Sequence, residues 1–138
     1  PLRIIYQTQY LYSPIPQEAY TFEFDAGASP QAGQEWILNH EFQLAGHKVT
    51  LSKLTAGVNS FIFFFQTDDE AVESVGMHHT SDIQIDGYTP VDFGGWFSLS
   101  SWNLTKTYSE MPKGKLKITL SGLYLYGEHQ DWAMEWRP

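Results

Sequence analysis

The chain has 138 residues, eight Lys and Arg against sixteen Asp and Glu for a formal net charge of −8, and no cysteine. That length fits one domain (1–138) with a substantial core, and the negative charge argues against nucleic acid and anionic membrane, which need a positive footprint. Without cysteine there is no disulfide, no thiolate catalysis and no Cys-ligated zinc, although the compartment stays open because oxidising compartments permit disulfides without requiring them.

Residues 2–12 (LRIIYQTQYLY) are apolar and β-prone, and Pro14 and Pro16 end the run because neither can donate to a ladder. Residues 1–16 therefore read as a first strand or as a linker leading in. The chain opens on Pro1 without an initiator methionine, as expected of a processed product or an excised segment. Residues 19–25 (AYTFEFD) alternate Tyr20, Phe22 and Phe24 against Thr21, Glu23 and Asp25, the pattern of a half-buried strand. A loop from Gly27 to Gly33 follows, then a strand over 35–44 with Trp36, Leu38, His40, Phe42 and Leu44 on one face. Ala45-Gly46 bends into residues 47–66 (HKVTLSKLTAGVNSFIFFFQ). The first half of that stretch sets Val49 and Leu51 against Lys48, Thr50 and Ser52. Gly57 and Asn59 then supply turn chemistry, and residues 61–65 are apolar on both faces. This predicts a β-hairpin whose second strand is central and covered on two sides, with Phe63 in the core and Ile62 and Phe64 buried too.

Beyond the hairpin, residues 54–105 carry no Lys or Arg. Short strands are predicted over 83–88 and 96–102, with Pro90 and Gly94-Gly95 punctuating a loop between them. Residues 115–121 alternate Leu116, Ile118 and Leu120 inward, and Gly122 kinks the chain before 123–126. The last strand, 131–136, carries Trp132, Met134 and Trp136 on one face and is expected to bury them by pairing with 115–126. The aromatic share of 16% suits pleated sheets. No stretch is a convincing amphipathic helix and no apolar run approaches the roughly 18 residues of a membrane span, so direct membrane insertion by this segment is not expected. The fold class is all-β: an antiparallel sandwich of about eight strands.

The succession of Gly33 to Trp36, Phe42, Leu44, Gly46, Val49, Leu51, Phe61, Phe63, Pro112, Gly114, Leu116, Ile118, Leu120, Trp132, Trp136 and Pro138 resembles the immunoglobulin-like domains of bacterial extracytoplasmic proteins. The resemblance covers about three-quarters of the chain and rests on strand and turn positions. Such domains often follow a single anchor helix, including in anti-sigma-factor-like proteins; neither that helix nor a cytoplasmic sigma-binding segment is in this sequence. The resemblance implies an immunoglobulin-like sandwich outside the membrane, at the cell surface, secreted or periplasmic, acting in interaction, sensing or spacing rather than catalysis.

Candidate chemistry is sparse. His78-His79 with Asp82 and Asp86 offers imidazole and carboxylate ligands, but no metal-site spacing frames them and a solvated loop has the same composition. Asp68-Asp69-Glu70 offers oxygen ligands for calcium, yet a charged turn beside a hydrophobic strand looks the same. Glu128-His129-Gln130-Asp131 combines acids with an imidazole, as general acid–base work requires, and also reads as a polar hairpin loop. The serines at 98, 100, 101 and 109 lack a G-x-S-x-G setting, and Asn103-Leu104-Thr105 fits a glycosylation sequon only formally. No catalytic residue, cofactor or metal is assigned. The one ligand hypothesis is an exposed aromatic platform of Trp96, Trp102, Tyr108, Tyr124 and Tyr126, on which a sugar ring would stack as in carbohydrate-binding modules. The expected partner is a protein or a glycan.

Overall fold

A computed structural model of the chain describes residues 2–8, 19–44, 46–68, 74–77, 83–98, 101–126 and 130–136. Twelve strands run through them: β1 (Leu2–Thr8), β2 (Tyr20–Asp25), β3 (Glu35–Leu44), β4 (His47–Gly57), β5 (Ser60–Gln66), β6 (Ser74–Met77), β7 (Ile83–Ile85), β8 (Pro90–Ser98), β9 (Ser101–Tyr108), β10 (Lys115–Leu120), β11 (Leu123–Tyr126) and β12 (Gln130–Trp136). Among the described residues no helix is long and apolar enough to cross a membrane.

The larger sheet has the order β3-β4-β5-β9-β8, all antiparallel, so β5 lies at its centre. Sequence dictates this locally. The two-residue turn Val58-Asn59 joins β4 to β5, and Asn59 takes a φ of 49°, a left-handed conformation that Asn tolerates better than most side chains. Across the sheet, Leu54, Phe63 and Leu104 stand in register, as do Leu51, Phe65 and Trp102, and all six are buried. Leu51 and Leu54 differ in parity, and a bulge between Leu51 and Lys53 accommodates the extra residue, so both turn inward. A second bulge, in β3 between Ile37 and His40, contains Asn39 with a φ of 52°.

Phe61, Phe63 and Phe65 are fully buried, whereas Ile62 and Phe64 on the opposite face are only half-buried. The central position of β5 is as expected; its full coverage on both faces is not. Ser52, Lys53 and Thr55 lie on that outer face, with the Lys53 ammonium 4.6 Å from the centre of the Phe64 ring.

The smaller sheet, β2-β10-β7, packs on the inner face of the larger one. Phe22, Phe24, Ile83, Ile85, Leu116, Ile118 and Leu120 are its buried contribution. Aromatic contacts weld the layers: Phe24 meets Trp36 edge-on at 5.1 Å, Phe22 meets His40 at 4.8 Å, and Tyr20 stacks on Phe42 at 5.3 Å. Each such contact adds about 0.5–1.5 kcal/mol beyond area burial. On the outer face of this sheet Lys115 opposes Asp25 and Lys117 opposes Glu23. These eight strands form a two-sheet antiparallel sandwich, consistent with an immunoglobulin-like architecture. Two short ladders accompany it, β6 with β11 and β1 with β12. Gly122, with a φ of 69°, sits where the chain passes from β10 to β11.

Two expectations are corrected. Residues 96–102 are not one strand: β8 runs through Pro90, Gly94 and Gly95 and ends at Ser98, and β9 begins at Ser101. Proline is tolerated at the first position of an edge strand, and Gly95 is close-packed, since a Cβ there would lie 2.9 Å from the Asn103 carbonyl oxygen. The C-terminal strand β12 pairs with β1, not with residues 115–126, with Trp136 opposite Leu2 and Trp132 opposite Tyr6. That partnership makes the first segment a strand, and β6 is a strand the alternation did not show.

Candidate functional site

Of the proposed aromatic platform, Trp102 and Tyr108 belong to the interior, at 5% and 1% exposure. Both lie on β9 with the parity of Leu104, the face turned to the smaller sheet, so neither ring offers a surface to a sugar. Tyr108 is buried with no hydrogen-bond partner for its hydroxyl among the described residues, and burial pushes its phenol pKa up. Trp96, Tyr124 and Tyr126 have their backbones in β8 and β11, opposite Asn103, Gly76 and Ser74; their side chains lie outside the described residues. The structure therefore does not bring the five together as a platform.

His78, His79 and Asp82, the acids Asp69 and Glu70, and residues 127–129 also lie outside the described residues. Among those described, no group of three His, Asp or Glu side chains is placed to hold a metal. Asn103 is buried at 2% exposure on the outer face of β9, so the sequon nitrogen is enclosed rather than presented to solvent.

A site that the sequence did not suggest lies at one end of the larger sheet. Glu41 on β3, Thr50 on β4 and Gln66 on β5 stand in register across three adjacent strands and floor a cleft of about 510 Å³. Asn39 enters from the β3 bulge, Gly46 from the β3–β4 turn, His47 and Lys48 from the start of β4, and Thr67 and Asp68 from the segment following β5. Apart from Gly46, every lining side chain is polar. The elements hold it in place: the Thr67 hydroxyl donates to the Lys48 carbonyl at 2.6 Å, which ties the end of β5 to β4. The Lys48 ammonium lies 3.1 Å from the Glu41 carboxylate, both more than half exposed, an ion pair worth under about 1 kcal/mol.

Amide, hydroxyl, carboxylate and ammonium groups together offer hydrogen-bond donors and acceptors of both kinds. This suits a small hydroxylated ligand better than an apolar one. A bulge that inserts a residue and a left-handed Asn39 beside it are the backbone devices that re-aim side chains near sites. The only sequence trace of the cleft is the polar alternation Lys48, Thr50, Ser52 along β4. No protein-family model, no curated protein and no solved structure matches the chain.

Proposed function

We propose that the chain is a non-catalytic, extracytoplasmic immunoglobulin-like domain that serves interaction, sensing or spacing. The observation that carries the reading is the cleft lined by polar side chains on a three-strand floor, backed by a sandwich whose layers are fixed by aromatic contacts. A rigid framework presenting hydrogen-bonding groups to solvent has the form of a recognition surface. The strand-and-turn resemblance to membrane-anchored, anti-sigma-factor-like bacterial proteins supports a bacterial, extracytoplasmic setting, and the net charge of −8 supports a partner other than nucleic acid.

The same cleft favours a second reading, a carbohydrate-binding module, with the sugar held by amides and acids there instead of by stacked aromatics. Amide chemical shifts of the labelled chain, followed while neutral oligosaccharides are added, test the site. Perturbations centred on Thr50, Gln66 and Thr67 are expected. Saturable shifts confined to other surfaces would remove the cleft from both readings.

A further inference from the structure

The two edges of the larger sheet differ. The β3 edge is blunted: its bulge at Asn39 breaks the ladder, Glu35 and Glu41 are held in ion pairs with Lys53 and Lys48, and Gln43 is exposed. Bulges and charges are the usual protections of an edge strand. The β8 edge has little of this. Among the described strands β8 pairs with β9 alone, and its residues 91–95 are all exposed. Among the described residues four large apolar side chains are left in solvent: Val91 and Phe93 on β8, at 56% and 42% exposure, Val58 in the β4–β5 turn, and Ile37 on β3, where the charged pairs and the bulge flank it. The bulge of β8 sits at its start, between Pro90 and Asp92, so 92–98 stay in continuous register with β9. Asp92 is the only charge in the strand, and its carboxylate accepts the Phe93 N–H at 2.8 Å, which protects one backbone donor; no charge stands beyond it in the strand.

We infer that β8 is a self-association edge, pairing antiparallel with β8 of a second copy to make one continuous ten-stranded sheet. The choice of occupant follows from closure. Pairing of β8 with β3 of another copy would be head-to-tail and would propagate into a filament, and the bulge and charges of β3 oppose it. Pairing of β8 with β8 is two-fold and closes. With the axis on Gly94, Asp92 faces residue 96 of the second copy, so the strand's single carboxylate never meets its own image. The glycines let the two backbones approach, and Val91 and Phe93 lose solvent. One strand per copy buries less than about 1,200 Å², the low end of specific interfaces. The net charge of −8 on each copy opposes association at low salt. The dimer is therefore weak, with dissociation in the range of about 10 μM to 1 mM, and strengthens with ionic strength.

Sedimentation equilibrium from about 10 μM to 1 mM, at low and moderate salt, spans that range. The mass is expected to rise from 15.8 kDa towards twice that value, more so in salt. Gly94→Lys tests the edge directly, because a side chain at Gly94 meets nothing within 4 Å and the fold tolerates it. It should weaken the dimer at least about tenfold with an unchanged melting midpoint, since it brings two ammonium groups to the axis. Val91→Lys is the second probe, should Gly94→Lys lower the midpoint. Val58→Lys, in the exposed β4–β5 turn, adds the same charge elsewhere and should leave the dimer intact. A monomer at all concentrations, or equal weakening by Val58→Lys, overturns the inference; the first result would assign the edge to a strand of some other chain.

Discussion

Phe63→Ala removes a fully buried ring from the centre of the molecule. Phe63 lies between Leu54 and Leu104 in register, with Phe61 edge-on at 6.5 Å. A buried Phe→Ala change costs about 3–5 kcal/mol, from lost transfer energy and the cavity left behind. Its neighbour Phe64 is half-buried on the outer face and keeps contact with the Lys53 ammonium. Losing that ring forfeits a cation–π term of about 0.5–1 kcal/mol and part of a side chain's burial. Phe64→Ala should therefore cost about 1–2 kcal/mol. For a chain of this size each kcal/mol moves the melting midpoint by about 3–5 °C, so the two variants should separate by several degrees. Urea melts of both, with m-values checked to be unchanged, measure the difference. Equal costs would show that both faces of β5 are dry and would refute the wet outer face.

Tyr108→Phe should be neutral to about 2 kcal/mol stabilising at pH 7, because it removes a buried hydroxyl that has no partner among the described residues. Its raised pKa adds a pH signature: the Tyr108 contribution is intact below the unfolded value of about 10 and is lost as pH climbs from there towards the folded value, at up to about 1.4 kcal/mol per pH unit. Parent and variant melts at alkaline pH should diverge accordingly, and parallel curves would contradict the burial. Gly95→Ala should cost about 1–3 kcal/mol, since the new Cβ would lie 2.9 Å from both the Asn103 carbonyl and Leu104 Cδ2, whereas Gly94→Ala should be close to neutral. Thermal midpoints in the reverse order would place β8 differently. Asn59→Ala should cost about 1 kcal/mol through its left-handed φ of 49°, and Asn59→Gly should recover it, both read from chemical denaturation.

Much of the framework was legible because one-sided burial writes itself into alternation. Tyr20, Phe22 and Phe24 face inward as read, β3 runs from Glu35 to Leu44 as read, and Leu116, Ile118 and Leu120 are buried. What was not legible depends on non-local facts. The partner of β12 is β1, more than a hundred residues away, and no local pattern names it. Gly94-Gly95 looks like punctuation until Gly95 is seen packed against β9. Aromatic type alone does not say which way a ring points: Trp102 and Tyr108 share parity with Leu104 and are buried. Lys106 shares that parity too and is fully buried, against the usual exposure of lysine. The cleft escaped because it is assembled from residues 39–41, 46–50 and 66–68, three segments with no motif in common.

The non-catalytic reading is tested most directly by incubating the chain with cell-envelope polysaccharide fragments and chromogenic esters, glycosides and phosphate esters, then analysing the products by mass spectrometry. The prediction is that every compound is recovered unchanged, including any that shifts the amides of Thr50 and Gln66. Cleavage that survives repurification and disappears in Glu41→Gln or Asp68→Asn would contradict it, and would make the polar cleft an active site.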